Sequence, residues 1–150
     1  MSLLENIATY LHSQITTASY GAKGLNAGVN LYLGRIPAEA PNAVVLIQQY
    51  EGQAPTFTMG DQVSALEHPR IQILVRAERE DYPGGYEWAR LVRDVLCSIP
   101  MPNATYFPYV TRIEPLGIPN PIGYDELDRP RFTMNFEVHV NAGADGMPIS

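Results

Sequence analysis

The sequence predicts an α+β domain in two layers, with a mixed, mostly antiparallel sheet of four to five strands and two helices packed on one face. Three observations carry this. Two segments repeat apolar residues at helical spacing, two others alternate apolar and polar residues with a period of two, and the order helix, three strands, helix, two strands groups strands together. The 150 residues, 16.6 kDa, suit one core able to bury roughly 70% of the surface of the unfolded chain. The predicted domain covers residues 1–141, and 142–150 form an extended C-terminal tail with little to anchor it.

The first helix spans about residues 3–15. Ser2 and Glu5 stand at the spacing of a capping box, and Leu4, Ile7, Leu11 and Ile15 form an apolar stripe. A small-residue, glycine-containing connection follows, then a short strand with Val29, Leu31 and Leu33, ended by Arg35, Ile36 and Pro37. The run from Asn42 to Gly52 is continuously apolar and β-branched at its centre, which predicts a central strand covered on both sides. The segment from Gly52 to about Pro69 lacks a sustained period and reads as a long loop, of the kind that carries function.

A third strand is expected from Arg70 to Arg79, with Ile71, Ile73, Val75 and Ala77 on one face and Gln72, Arg76 and Glu78 on the other. Pro83, Gly84 and Gly85 read as a break before the second helix, whose apolar face holds Trp88, Leu91, Val92, Val95, Leu96 and Ile99 and which Pro100 and Pro102 stop. Tyr106 to Glu114 predicts a fourth strand. The proline-containing stretch from Pro115 to Pro130 predicts a second, semi-rigid loop. The last strand has the strongest pattern, with Phe132, Met134, Phe136, Val138 and Val140 alternating with Thr133, Asn135, Glu137, His139 and Asn141.

Composition narrows function. Ten basic against sixteen acidic residues give a net charge of −6 and a pI near 4.9, which argues against a generic surface for nucleic acid or acidic membrane. Nine of the ten basic residues are arginine, a bias that suits planar pairing with carboxylates across protein surfaces and equally follows from compositional bias. Tyr50, Tyr82, Tyr86, Tyr106, Tyr109 and Tyr124 fall at element ends or in loops, as protein contacts or half-buried core edges would place them. One cysteine permits no internal disulfide, the N-terminal stretch lacks the basic start of a signal peptide, and no apolar run approaches the ~20 residues of a membrane span. A soluble cytoplasmic protein with no membrane partner is expected.

No catalytic residue, cofactor site or metal site emerges. Glu78, Glu80 and Asp81 read as a solvated strand end interleaved with Arg76 and Arg79, not as a general acid pair. Asp125, Glu126 and Asp128 lack the ligand spacing of a calcium loop and read as a polar loop. His12, His68 and His139 match no zinc-ligand spacing. Cys97 reads as a small buried residue beside Leu96 and Ile99, and no phosphate-cradling glycine motif occurs.

The span from PNAVVLIQQYEGQAP through EHPRIQILVRAERED to the helix YEWARLVRDVL resembles a siphophage-like family of tailed-phage minor capsid proteins grouped with tail terminators. The likeness is one of arrangement. It lies in an apolar strand closing in Tyr-Glu-Gly, a long loop, a strand opening His-Pro-Arg and ending rich in arginine, and a helix, over residues 40–100, with the strand 132–141 fitting the same pattern. The resemblance implies a virion protein, assembled in the host cytoplasm, that forms a homo-hexameric ring on the head-proximal end of the tail tube. Such a ring ends tube polymerisation, joins the tail to the head-tail connector or stopper protein, and lets genomic DNA through its lumen without specific binding. Carried over by position, the loop holding Thr56, Phe57, Met59 and Asp61 would meet the tail tube protein, and Arg76, Arg79, Glu80 and Asp81 would lie at a subunit boundary. Competing readings are a head completion or stopper protein of the neck, a host-encoded adaptor with the same fold, and a small hydrolase or ligand-binding domain. The hydrolase reading predicts a pocket joining the Glu78 cluster to His68 or His139.

Overall fold

The computed structural model describes residues 3–15, 25, 28–57, 65–99, 107 and 110–141, the side chains of 51–57, 65–67 and 141 excepted. The elements run α1 (Leu3–Gln14), β1 (Leu31–Leu33), β2 (Val44–Phe57), β3 (Ala65–Arg76), α2 (Tyr82–Cys97), β4 (Val110–Pro115), β5 (Asn120–Tyr124) and β6 (Pro130–Asn141). The sheet is ordered β1-β2-β3-β6-β4, with β5 also paired to β6. Only β1 runs parallel to its neighbour, so the sheet is mixed and mostly antiparallel, as the pattern of elements predicts.

One core lies between this sheet and the two helices. The alternation in β3 and β6 sends Ile71, Ile73, Val75, Phe132, Met134, Phe136 and Val138 inward, where Val45 and Ile47 join them. Ile7, Leu11 and Ile15 from the first apolar stripe and Trp88, Val92 and Leu96 from the second close the layer from above. Helix α1 packs on β1 and β2 while α2 packs on β3, β6 and β4, so both helices cover the same face. On the opposite face, a polar chain crosses three strands. Gln48 donates to Gln72 at 2.8 Å, and Gln72 donates to Asn135 at 3.3 Å.

Six strands stand where four to five are expected, and the differences have local causes. The segment from Gly52 to Pro69 is mostly strand: β2 continues to Phe57 and β3 starts at Ala65, paired across register shifts between Gln49 and Glu51 and between Gln53 and Thr56. Irregular pairing of this kind erases the period of two on which a sequence reading depends. The chain leaves β3 at Arg76, not Arg79: the Ala77 N–H still reaches Pro130 O across the ladder, and Glu80 then adopts a positive φ of 58° in the turn that leads to α2. The second strand is interior and covered on both faces, as its apolar run predicts: β2 lies between β1 and β3 and Val44–Ile47 are all buried, while β3 stands in the middle of the order, between β2 and β6. The fourth strand starts at Val110, later than expected, and Tyr106 and Tyr109 lie outside the described residues, as does the tail 142–150.

Two further corrections concern proline and glycine. Pro83, Gly84 and Gly85 do not break the chain before α2; they form its first turn. The Asp81 carboxylate caps that turn by accepting from the Gly84 N–H at 3.1 Å, and proline is tolerated there because its absent N–H would have had no helical partner. The stretch from Pro115 to Pro130 contains β5, paired to β6 through Asn120 opposite Thr133 and Pro121 opposite Phe132. Strand β5 is exposed over its whole length and β4 and β5 share one edge of β6 in tandem, so the prolines sit at the margin of the sheet where a missing donor is tolerated. Among the described residues, no helix is long and apolar enough to cross a membrane.

Candidate functional site

Strands β3 and β6 gather the main cluster of titratable side chains. Their antiparallel register, with Glu67 opposite Val140 and Arg70 opposite Glu137, brings His68 beside His139 on the face away from the helices. The two Nδ1 atoms lie 3.0 Å apart, with the rings nearly perpendicular at 79°. Glu137, two residues before His139 and therefore on the same face, places Oε1 3.8 Å from His68 Nδ1, and Arg70 approaches its other oxygen at 3.6 Å. From the neighbouring β4, Glu114 sets Oε2 3.4 Å from His139 Nε2 and Oε1 3.4 Å from Arg112. One donor atom each from His68, Glu137 and His139 fall within 4.8 Å of one another, an arrangement able to hold a metal ion.

Sequence spacing gives no hint of this cluster beyond the Glu137-x-His139 step, because His68 and His139 are 71 positions apart and only the strand register joins them. It is also remote from the acidic residues. His68 and Arg76 are separated by eight residues of strand, about 26 Å at the ordinary rise, and Glu78 lies beyond. The single pocket that the hydrolase reading requires is therefore not formed by these residues.

At the far end of β3 lie the charged residues expected at a subunit boundary, some of them committed to the fold. Arg76 donates through Nε to Asn42 O at 2.9 Å and through Nη2 to Pro41 O at 2.8 Å, fastening the segment before β2. Burial, then the nearby Arg129 charge, pulls its guanidinium below the usual range. Asp81 caps α2, whereas Arg79 and Glu80 are exposed in the turn, and the Glu80 N–H donates to Asp128 O at 2.8 Å. Facing them is the hairpin between β5 and β6. Asp125 accepts from the backbone of Leu127 and Arg129 at 3.0 Å and pairs with the Arg129 guanidinium at 2.8 Å. Burial raises the Asp125 pKa, but these hydrogen bonds and the Arg129 charge outweigh it and hold the carboxyl below its ordinary value.

Thr56 and Phe57 end β2, their side chains outside the description; Met59 and Asp61 lie outside the described residues altogether. Cys97 is exposed at the end of α2 rather than buried, since the apolar stripe passes through Leu96 and Ile99 and turns Cys97 outward. Partial burial of its sulfur raises the thiol pKa, Arg93 lowers it and Asp94 raises it again, for a net increase that leaves an ordinary, unactivated thiol.

A second feature is apolar. Leu116, Ile118, Ile122, Tyr124 and Leu127, on and around β5, are all exposed, Ile118 by 69%. Exposed apolar residues grouped along one edge are characteristic of protein contact surfaces. They fall within the stretch that the sequence predicts as a semi-rigid loop, where Tyr124 alone is singled out as suited to protein contact.

No curated protein matches the chain. Among solved structures, a chain from the virion of a native gene transfer agent particle matches with a TM-score of 0.58 over 93% of this chain and 95% of that one, at 13% identity, a likeness of fold. The family model described as bacteriophage tail terminator protein matches residues 14–142, from the end of α1 through the whole of β6. The chain therefore belongs to the bacteriophage tail terminator family and is a structural protein of the virion.

Proposed function

We propose that the chain is the tail terminator itself: six copies close into a ring at the head-proximal end of the tail tube, end its polymerisation and join the tail to the head-tail connector. The family match over residues 14–142 is the observation that carries this reading. The exposed surfaces are of the kind it needs. A closed ring of identical copies requires two different, complementary patches on each subunit, and the apolar margin around β5 and the Arg79–Glu80 turn are two such candidates. The β2–β3 hairpin, with Thr56, Phe57, Met59 and Asp61 at and beyond the end of β2, is assigned to the tail tube protein, and Arg76, Arg79, Glu80 and Asp81 to a subunit boundary. An excess of acidic residues suits a lumen through which DNA passes without adhering.

Light-scattering mass and negative-stain imaging across protein concentration, followed by tube assembly with the tube protein present, test the proposal. Six-fold rings of six 16.6 kDa chains, about 100 kDa in all, and shortened or blunt-capped tubes are expected. A protein that stays monomeric and leaves tube length unchanged overturns it. Binding to the connector without any effect on tubes assigns the chain to the neck instead.

A further inference from the structure

We propose that His68, His139 and Glu137 form a binding site for a divalent transition-metal ion of the zinc class, on the face of the sheet away from the helices, where β3 meets β6. Three observations converge on it, none of which depends on the terminator reading. The first is the separation of the two ring nitrogens. Zinc–imidazole bonds of about 2.0–2.1 Å place two nitrogens roughly 2.9 Å apart at a right angle and roughly 3.4 Å apart at the tetrahedral angle. The observed Nδ1–Nδ1 distance of 3.0 Å, bridged by a hydrogen bond that an ion would replace, falls between these, so the two nitrogens already stand at the separation a shared ion requires.

The second is Glu114. Its Oε2 at 3.4 Å from His139 Nε2 favours the proton on that nitrogen and leaves Nδ1 free to coordinate. A carboxylate behind a ligating imidazole is how metal sites fix the tautomer and strengthen the donor. The third is the division of the Glu137 carboxylate. Arg70 holds one oxygen at 3.6 Å, and the other, 3.8 Å from His68 Nδ1, faces the same point as the histidines. Two imidazoles and one carboxylate are a donor set for zinc, nickel or cobalt, and a poor one for magnesium or calcium, which take oxygen ligands. The positions left open go to water or to a group on another molecule. The side chains are only 15%, 12% and 27% exposed, so a bound ion is held at the sheet surface and ties the distal ends of β3 and β6 together.

The test uses the full chain, free of any affinity tag and stripped with a chelator, titrated with zinc chloride by calorimetry and with cobalt chloride by visible absorption. One ion per chain, cobalt bands characteristic of mixed nitrogen and oxygen ligation, and a rise in melting temperature with zinc are expected. His68→Asn and His139→Asn should each weaken binding at least a hundredfold. Glu114→Gln should weaken it about tenfold or more, as loss of a supporting carboxylate does, while His12→Asn, at the end of α1, should bind as the parent does. Far-UV circular dichroism checks that every variant is folded. Absence of saturable zinc binding by the parent chain overturns the proposal, as does unchanged affinity in folded His68→Asn and His139→Asn.

Discussion

At the scale of single residues, charged side chains that a sequence reading leaves in a polar loop or offers to a partner are spent on the fold. Asp125 shows the chemistry most fully, accepting two backbone hydrogen bonds and an ion pair within a five-residue turn. Its pKa is depressed in the folded state, so its contribution to stability is complete above the unfolded carboxyl value of about 4 and is lost as pH falls through the lower folded value. Asp125→Asn should cost about 1–2 kcal/mol near pH 7, the scale of charged hydrogen bonds lost from a half-buried turn. The gap between variant and parent should close below pH 4, as chemical denaturation at a series of pH values will report. Asp81 and Arg76 belong to the same category of committed groups, one capping α2 and the other fastening residues 41–42. Arg79 and Glu80 remain exposed. None of these commitments is legible in sequence, where a cap, a clamp and a free charge are written with the same letters. The pairing of His68 with His139 is hidden for a related reason, since it depends on strand register, and the core that fixes register is assembled from the whole chain.

Elements with an unbroken period are readable, and those with an interrupted one are not. Helix α1, the core face of β3 and all of β6 follow from spacing alone, because one face of each is buried and the other is not. The upper part of the β2–β3 hairpin and β5 escape detection, the first because of its register shifts and the second because no residue of β5 is buried to mark an inward face. Helix α2 is misread at its start because glycine is taken as a breaker, whereas Gly85 is a packing residue. A Cβ there would lie 2.6 Å from the Ala77 Cβ and 2.8 Å from the ring of Phe132, itself fully buried and in edge contact with Tyr82 and Tyr86. Neither neighbour has room to yield. Gly85→Ala should therefore destabilise the protein by about 1–3 kcal/mol despite the better helix propensity of alanine, and the thermal midpoint compared with that of Gly84→Ala will show it.

For the molecule as a whole, the proposed ring depends on exposed surfaces, and the apolar margin around β5 is the one to challenge. Ile118→Asp places a charge at a site 69% exposed in the monomer, so the melting temperature should change little. Ring assembly, read by light scattering, should be lost if that margin is an interface. The same margin has another consequence. An uncovered sheet edge invites further strands to add, and unchecked addition is the route to fibrous aggregates. Here the edge formed by β4 and β5 carries Pro115 and Pro121, each lacking the N–H that an incoming strand would need, whereas on the other side β1 pairs only with Val45–Ile47 of the longer β2. The edge formed by β4 and β5 is thus a poor template for backbone pairing. In the proposed ring, a copy meeting this edge would do so through side chains, which can define a closed number of subunits, and not through a backbone ladder, which has no natural end.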